Sequence, residues 1–145
     1  MKKNGIDADF FGVSGYGSIN YDRLLFHPQI FSVGLRVGVG AYRFKDYLLN
    51  FNPDFIFPLS IYGTLGNKHN LEMSFGCTFA SLVQANRETF EPDRQLDANL
   101  KATIGYRFQG LYKPKLYLRA YLAFLSLNKE KITLWPGFSI GYLIK

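Results

Sequence analysis

Phe31-Ser32-Val33-Gly34-Leu35-Arg36-Val37-Gly38-Val39-Gly40-Ala41 alternates without a break: odd positions are apolar and even ones are Gly, Ser or Arg. Successive side chains of a β-strand point to opposite faces, so this period of two makes a strand with two unlike faces. One face carries Phe31, Val33, Leu35, Val37 and Val39; the other is glycine with one serine and one guanidinium. A strand on the surface of a water-soluble protein would set Lys, Glu or Thr against its core face. The bare Gly/Ser/Arg face suits the cramped inside of a small barrel, with the apolar face turned to lipid.

The pattern recurs along the chain. Phe55, Phe57, Leu59 and Ile61 oppose Ile56, Pro58, Ser60 and Tyr62, and Leu71, Met73, Phe75, Cys77 and Phe79 oppose Glu72, Ser74, Gly76 and Thr78. Three further runs, Ala98 to Phe108, Leu116 to Phe124 and Leu134 to Ile144, alternate in the same way. Each is near the about 9–11 residues of a tilted membrane strand. Pro58 and Pro136 lack a ladder donor, so a local defect is expected at each. Phe10 to Phe26 is too long for one strand. A glycine turn at Ser14-Gly15-Tyr16-Gly17 divides it into strands Ile6–Val13 and Ser18–Leu25. That brings the count to about eight, an even number as in single-chain bacterial barrels. The fold class is therefore all-β: one domain over residues 1–145, a closed antiparallel up-and-down transmembrane β-barrel. Helix is confined to single turns near 47–50 and 85–90.

Composition agrees. Of the 145 residues 17% are aromatic and only 19% charged, which fits a protein with a lipid-facing band. No apolar run approaches the about 20 residues of a membrane helix, but a barrel hides its membrane signal in alternation. The net charge of +6 comes from scattered Lys and Arg with no basic run, which excludes nucleic acid as a partner and fits loops and rims meeting anionic lipid or lipopolysaccharide. The lone Cys77 falls in an apolar series and reads as a small hydrophobe. Met1-Lys2-Lys3-Asn4 opens like an export leader, yet Gly5-Ile6-Asp7-Ala8-Asp9 is acidic and supplies no apolar core for one. Either this is a mature or engineered form, or the start is misplaced, or the chain is not exported.

Connections alternate in length: short at 26–29, 66–70 and 110–114, long at 44–54 and 84–95, and medium and basic at 128–131. Outer-membrane barrels have short periplasmic turns and longer outer loops, so this assigns the two ends. Tyr21, Phe26, Phe31, Tyr106, Phe108, Tyr112 and Tyr142 form the expected periplasmic girdle, and Tyr42 and Phe44 the outer rim. Loops 44–54 and 84–95 are the candidate surface for an extracellular partner. Arg87, Glu88, Glu91, Asp93 and Arg94 make the second a solvated, charge-dense loop, or a site for divalent cations bridging lipopolysaccharide.

The lumen is expected to hold a polar network of Asn20, Asp22, Arg36, Tyr62, Glu72, Lys101, Arg107, Tyr117, Arg119 and Tyr121. Buried charges must pair, so Arg36, Arg107 and Arg119 should meet Glu72, Asp22 and Asp97. The leading reading is a plugged lumen; the alternative is a polar cavity or narrow ion path whose excess positive charge favours anions. No catalytic residue, metal ligand set or cofactor motif stands out. His27 and His69 both fall in short turns without the Ser and carboxylate of a triad, or a second ligand for a metal.

Gly15-Tyr16-Gly17-Ser18-Ile19-Asn20-Tyr21-Asp22-Arg23, Thr103-Ile104-Gly105-Tyr106-Arg107-Phe108, Pro58-Leu59-Ser60 leading to Leu65-Gly66-Asn67-Lys68-His69, and Trp135-Pro136-Gly137-Phe138-Ser139-Ile140-Gly141-Tyr142 resemble segments of small uncharacterised outer-membrane β-barrel proteins of Gram-negative bacteria. The resemblance implies a closed antiparallel barrel in the outer membrane and brings no activity or catalytic residues. The closing Tyr142-Leu143-Ile144-Lys145 departs from the aromatic last residue usual there. The function expected is an integral, non-enzymatic outer-membrane barrel with a structural, adhesive or narrow-channel role. A soluble lipocalin-like barrel around a hydrophobic ligand is the rival, and a membrane enzyme acting on acyl chains through His27 or His69 the third.

Overall fold

The computed structural model describes residues 4–12, 16–28, 30–41, 43–45, 48–85, 92–111, 115–127 and 131–144. They form β1 (Asn4–Phe11), β2 (Gly17–Phe26), β3 (Phe31–Ala41), β4 (Phe55–Gly66), β5 (His69–Ala85), β6 (Pro92–Leu111), β7 (Leu116–Leu127) and β8 (Lys131–Ile144). The eight strands pair in chain order as a closed barrel. β1 closes on β8 antiparallel, from Asn4↔Ile144 to Phe11↔Gly137. The division of the N-terminal stretch holds, although Ser14 and Gly15 lie outside the described residues. So do Tyr42, Tyr112, Arg87, Glu88, Glu91 and most of the turn read near 85–90.

Alternation sets the faces. Leu35, Val37 and Val39 are exposed on the barrel's outside, whereas Ser32, Gly34 and Arg36 are buried within. Cys77 shares the outward series with Phe75 and Phe79. The expected defect at Pro58 is present: pairing of β3 with β4 lapses between Val37↔Leu59 and Gly40↔Ile56, then resumes in the same register. At Pro136 the expected defect is absent from the β7 side, where Leu122↔Pro136 is regular. This proline lies just beyond Phe11↔Gly137, where the β1 ladder has ended.

Inward glycines have a specific task. Gly34 lies directly opposite Tyr62, Gly137 opposite Tyr121 and Gly141 opposite Tyr117. A Cβ on any of the three would overlap the facing tyrosine ring. Each glycine thus makes the floor on which a neighbouring strand lays a large ring across the lumen, a cross-strand pairing that fills a narrow barrel.

Two strands exceed expectation. The charge-dense sequence of 84–95 predicts a loop, but β5 continues through Ala85 and β6 begins at Pro92, paired up to Ala85↔Pro92. Their neighbours stop earlier: β4 joins β5 only from Phe55↔Ser81, and β7 joins β6 only from Lys101↔Leu125. The β5–β6 hairpin therefore projects past the barrel rim at the long-loop end. Its charged side chains carry no apolar alternation, but backbone pairing continues there regardless of which faces meet water.

Replacing Gly141 by Val should expel the Tyr117 ring and cost about 1–3 kcal/mol of stability, as overpacking does. Gly63→Ala, whose Cβ meets Phe31 at an ordinary 3.5 Å, should stay within about 0.5 kcal/mol. Urea titration of the chain in micelles checks both.

Candidate functional site

The lumen is filled by a layered set of charges and rings. β2 contributes Asn20 and Asp22, β3 Arg36, β4 Tyr62, β5 Glu72, β6 Lys101 and Arg107, and β7 Tyr117, Arg119 and Tyr121. None of these ten is more than 6% exposed. β1 adds Asp7 and Asp9, also buried, which the sequence reading had treated only as interruptions of a leader.

Glu72 is the hub. Its Oε1 accepts hydrogen bonds from Arg36 Nη1 at 2.9 Å and Arg119 Nη1 at 3.0 Å, and its Oε2 from Arg107 Nη1 at 3.2 Å. Arg36 also grips Asp22 with two parallel bonds, Nε to Oδ1 at 2.6 Å and Nη2 to Oδ2 at 2.9 Å, the bidentate geometry that favours arginine over lysine. Arg119 Nη2 lies 3.7 Å from both Asp7 Oδ1 and Asp9 Oδ2. The tyrosines tie the acids together. Tyr117 donates toward Asp7 Oδ2 at 3.0 Å and Asp22 Oδ2 at 3.1 Å, and Tyr121 to Asp9 Oδ2 at 2.6 Å. Asn20 Nδ2 donates to Asp7 Oδ1 at 2.8 Å. Guanidinium carbons sit over the same rings: Arg107 over Tyr117 at 3.8 Å, Arg36 over Tyr62 at 4.8 Å and Arg119 over Tyr121 at 4.8 Å. Cations against ring faces add to the pairing.

Two expectations are corrected. Asp97 takes no part in the plug, because it lies on β6 beyond Lys101, where β7 has already ended. Asp7 and Asp9 take the place expected of it. The lumen also lacks the expected positive excess: the carboxylates Asp7, Asp9, Asp22 and Glu72 match Arg36, Lys101, Arg107 and Arg119 in number. An unbalanced charge in so dry a site would cost several kcal/mol, so neutrality is the condition for filling the barrel with ions.

The space left is uneven. A void of about 10 Å³ lies between Asp9, Asn20, Arg36, Lys101, Arg119 and Tyr121. Small-ligand sites run to about 300 Å³ or more, so this one admits no solute. At the short-turn end a vestibule of about 550 Å³ opens, reaching inward to Asp22, Tyr62 and Arg107. At its lip His27 Nδ1 pairs with Ser32 Oγ. Outside, His69 Nδ1 pairs with Tyr106 Oη, and Tyr21 Oη donates to Asn4 Oδ1 at 2.8 Å. No bond from a described carboxylate to His27 completes a triad. Among the described residues there is no cluster of three or more His, Cys, Asp or Glu arranged to hold a metal ion.

At the other end a second polar cluster straps the segment before β4 to the projecting hairpin. Asp54 is buried; its Oδ1 accepts the Val83 backbone N–H at 2.7 Å and its Oδ2 the Arg43 Nε at 3.2 Å. Arg94 Nη1 donates to Ser81 Oγ at 3.0 Å, and its Nη2 to Asn52 Oδ1 at 2.6 Å and Pro53 O at 3.2 Å. Arg94, read as one charge in a solvated loop, is thus a structural clamp. Only the register of β5 against β6, which sets Arg94 opposite Val83, discloses this.

No family model matches the chain, and no curated protein matches it. Solved structures do. The N-terminal β-barrel domain of Pseudomonas aeruginosa OprF is similar over 99% of this chain and 100% of that one, with 15% identity and a TM-score of 0.66. Yersinia pestis Ail, the attachment invasion locus protein, in complex with the heparin analogue sucrose octasulfate, is similar over 99% and 100%, with 11% identity and a TM-score of 0.63. At such identities the likeness is one of fold.

Glu72→Gln should leave Arg36, Arg107 and Arg119 without their shared anion and lower stability by about 3–5 kcal/mol, the cost of breaking a buried ion pair from one side. Asp54→Ala should leave the Val83 amide unbonded and speed its hydrogen exchange at least tenfold, while β1 and β8 amides keep their protection. Urea titration and exchange NMR in micelles read these outcomes.

Proposed function

We propose that this chain is an integral, non-enzymatic protein of the bacterial outer membrane, closed to solute passage, with a structural or adhesive role carried by its long-loop end. The observation that carries the reading is the inversion of polarity: Leu35, Val37, Phe57, Phe75 and Ile140 face outward while nine-tenths-buried charges occupy the axis. Burying that outer surface needs hydrocarbon, and a barrel is one of the two structures able to span it with every backbone group paired. The short-turn end then faces the periplasm, the projecting hairpin faces out of the cell, and the surrounding partners are lipid and lipopolysaccharide.

The solved structures that share the fold support this placement, since they include the outer-membrane protein Ail. A protein named for attachment and invasion, seen with a sulfated sugar, favours adhesion over transport among the roles considered. The balanced, interlocked plug argues against a conducting path. A lipocalin-like carrier would need an apolar cavity where Glu72 and three arginines stand. Chemistry on acyl chains through His27 or His69 finds no support in the bonds these rings make to Ser32 and Tyr106.

Two measurements test the proposal. In detergent the folded chain should migrate differently on a gel before and after boiling, and should partition wholly with detergent rather than water; a monomer soluble without detergent would sink the reading. In planar bilayers the wild-type chain should give no steady conductance, and a stable ohmic pore would remove the closed plug.

A further inference from the structure

The projecting hairpin has two edges, and the chain treats them differently. The bond from Gln109 N to Lys68 O places the backbone groups of odd-numbered β6 residues toward β5. Period two then turns the N–H and C=O of Arg94, Leu96, Ala98 and Leu100 toward the opposite side, where β7 would run. The Lys101↔Leu125 pairing already engages the Leu100 backbone against β7, so among the described residues the groups of Arg94, Leu96 and Ala98 have no strand beside them. The Arg94 N–H is taken by Asp93 Oδ1 at 2.8 Å, and among the described residues those of Leu96 and Ala98 have no partner. On the β5 edge, by contrast, Asp54 stands in for a missing strand by accepting the Val83 N–H, and Arg94 fastens the segment that carries it. Unpaired edges are liabilities that proteins blunt. Here one is sealed and rigid while its counterpart is presented.

We propose that the β6 edge from Arg94 to Ala98 is a docking site for an extended segment of an extracellular protein, added as a further antiparallel or parallel strand. The inference rests on the outward placement of this end in the proposed function. The side chains specify the occupant. One face of the edge presents Leu96, 83% exposed, with Ala98; the other presents Asp93, Gln95 and Asp97. A strand alternating apolar and basic residues matches both faces at once: its main chain supplies affinity and its alternate side chains supply selectivity. A second copy fits poorly. Two barrels in one membrane share a direction, so their β6 edges meet only after a half-turn about the strand axis, which sets the acidic face of one beside the apolar face of the other.

The test uses the full chain in lipid nanodiscs and two capped peptides, one alternating Val and Lys, the other Val and Glu. The Val/Lys peptide should bind saturably by fluorescence anisotropy and slow amide exchange at Leu96 and Ala98. The Val/Glu peptide should bind at least tenfold more weakly. Leu96→Pro removes an outward N–H that the β5 ladder does not use, so the barrel should keep its gel migration while Val/Lys affinity falls at least tenfold. Asp97→Lys leaves the backbone intact and should reverse the preference between peptides. Equal binding to Leu96→Pro and wild type, protection confined to other strands, or equal binding of the two peptides would each overturn the proposal. Cells displaying wild type and Leu96→Pro separate it from the adhesive reading. Equal adherence of both removes the edge and keeps adhesion; no adherence by either, with peptide binding intact, removes adhesion and keeps the edge.

Discussion

One carboxylate shared by three guanidiniums governs the interior. An eight-stranded barrel leaves room for side chains and little else, so whatever points inward must be paired in a place that water scarcely reaches. Glu72 accepts one bond from each of Arg36, Arg107 and Arg119 but cancels only one of their charges. The balance comes from Asp22 on β2 and from Asp7 and Asp9 on β1. Charge neutrality is thereby tied to closure of the sheet: with β1 undocked, the lumen holds more cation than anion, Tyr121 loses its Asp9 acceptor and Tyr117 keeps only Asp22 of its two. Strands at opposite ends of the sequence are coupled by the Tyr117–Asp7 and Tyr121–Asp9 bonds as well as by their ladder to β8. Closing so long a loop is entropically costly, and these charge-assisted bonds help to offset it.

Much of this is legible in the amino-acid sequence. Where a strand has an apolar surround on one side and a packed lumen on the other, alternation reports the face of each residue, and the run from Phe31 to Ala41 is an unbroken instance. The ten lumen residues followed from the same parity. What alternation cannot express is register. That Gly34 lies under Tyr62, or Gly141 under Tyr117, depends on which residues stand opposite, and the inward glycines accordingly read only as relief of crowding. Asp7 and Asp9 obeyed the period of two beside Ile6, Ala8 and Phe10. They were misassigned because acidic residues near an N-terminus also read as the absence of a leader.

The hairpin tip failed for a different reason. Beyond the rim both faces of β5 and β6 meet water or a neighbouring loop, so the polarity contrast that marks a strand in the barrel wall vanishes. Charge density there reads as loop, although backbone pairing continues to Ala85↔Pro92. Asp97 was drawn into the expected plug by the same blindness to height: parity places it on the lumen side, but the neighbouring strand has ended before its level.

The two polar clusters solve opposite problems with the same residue types. In the lumen, arginine and carboxylate are buried among strands that already fix one another, so the bonds make a rigid, neutral filling that leaves the barrel wall free to be uniformly apolar. At the rim, Asp54 and Arg94 act where the wall has stopped. They supply to the hairpin what β4 no longer supplies, a partner for the Val83 amide and a tether across to Asn52 and Pro53. An isolated two-stranded hairpin is only marginally stable in water. A hairpin held along one side by its own chain can keep its shape with the other side bare, so the strap turns a fraying end into a surface of defined geometry.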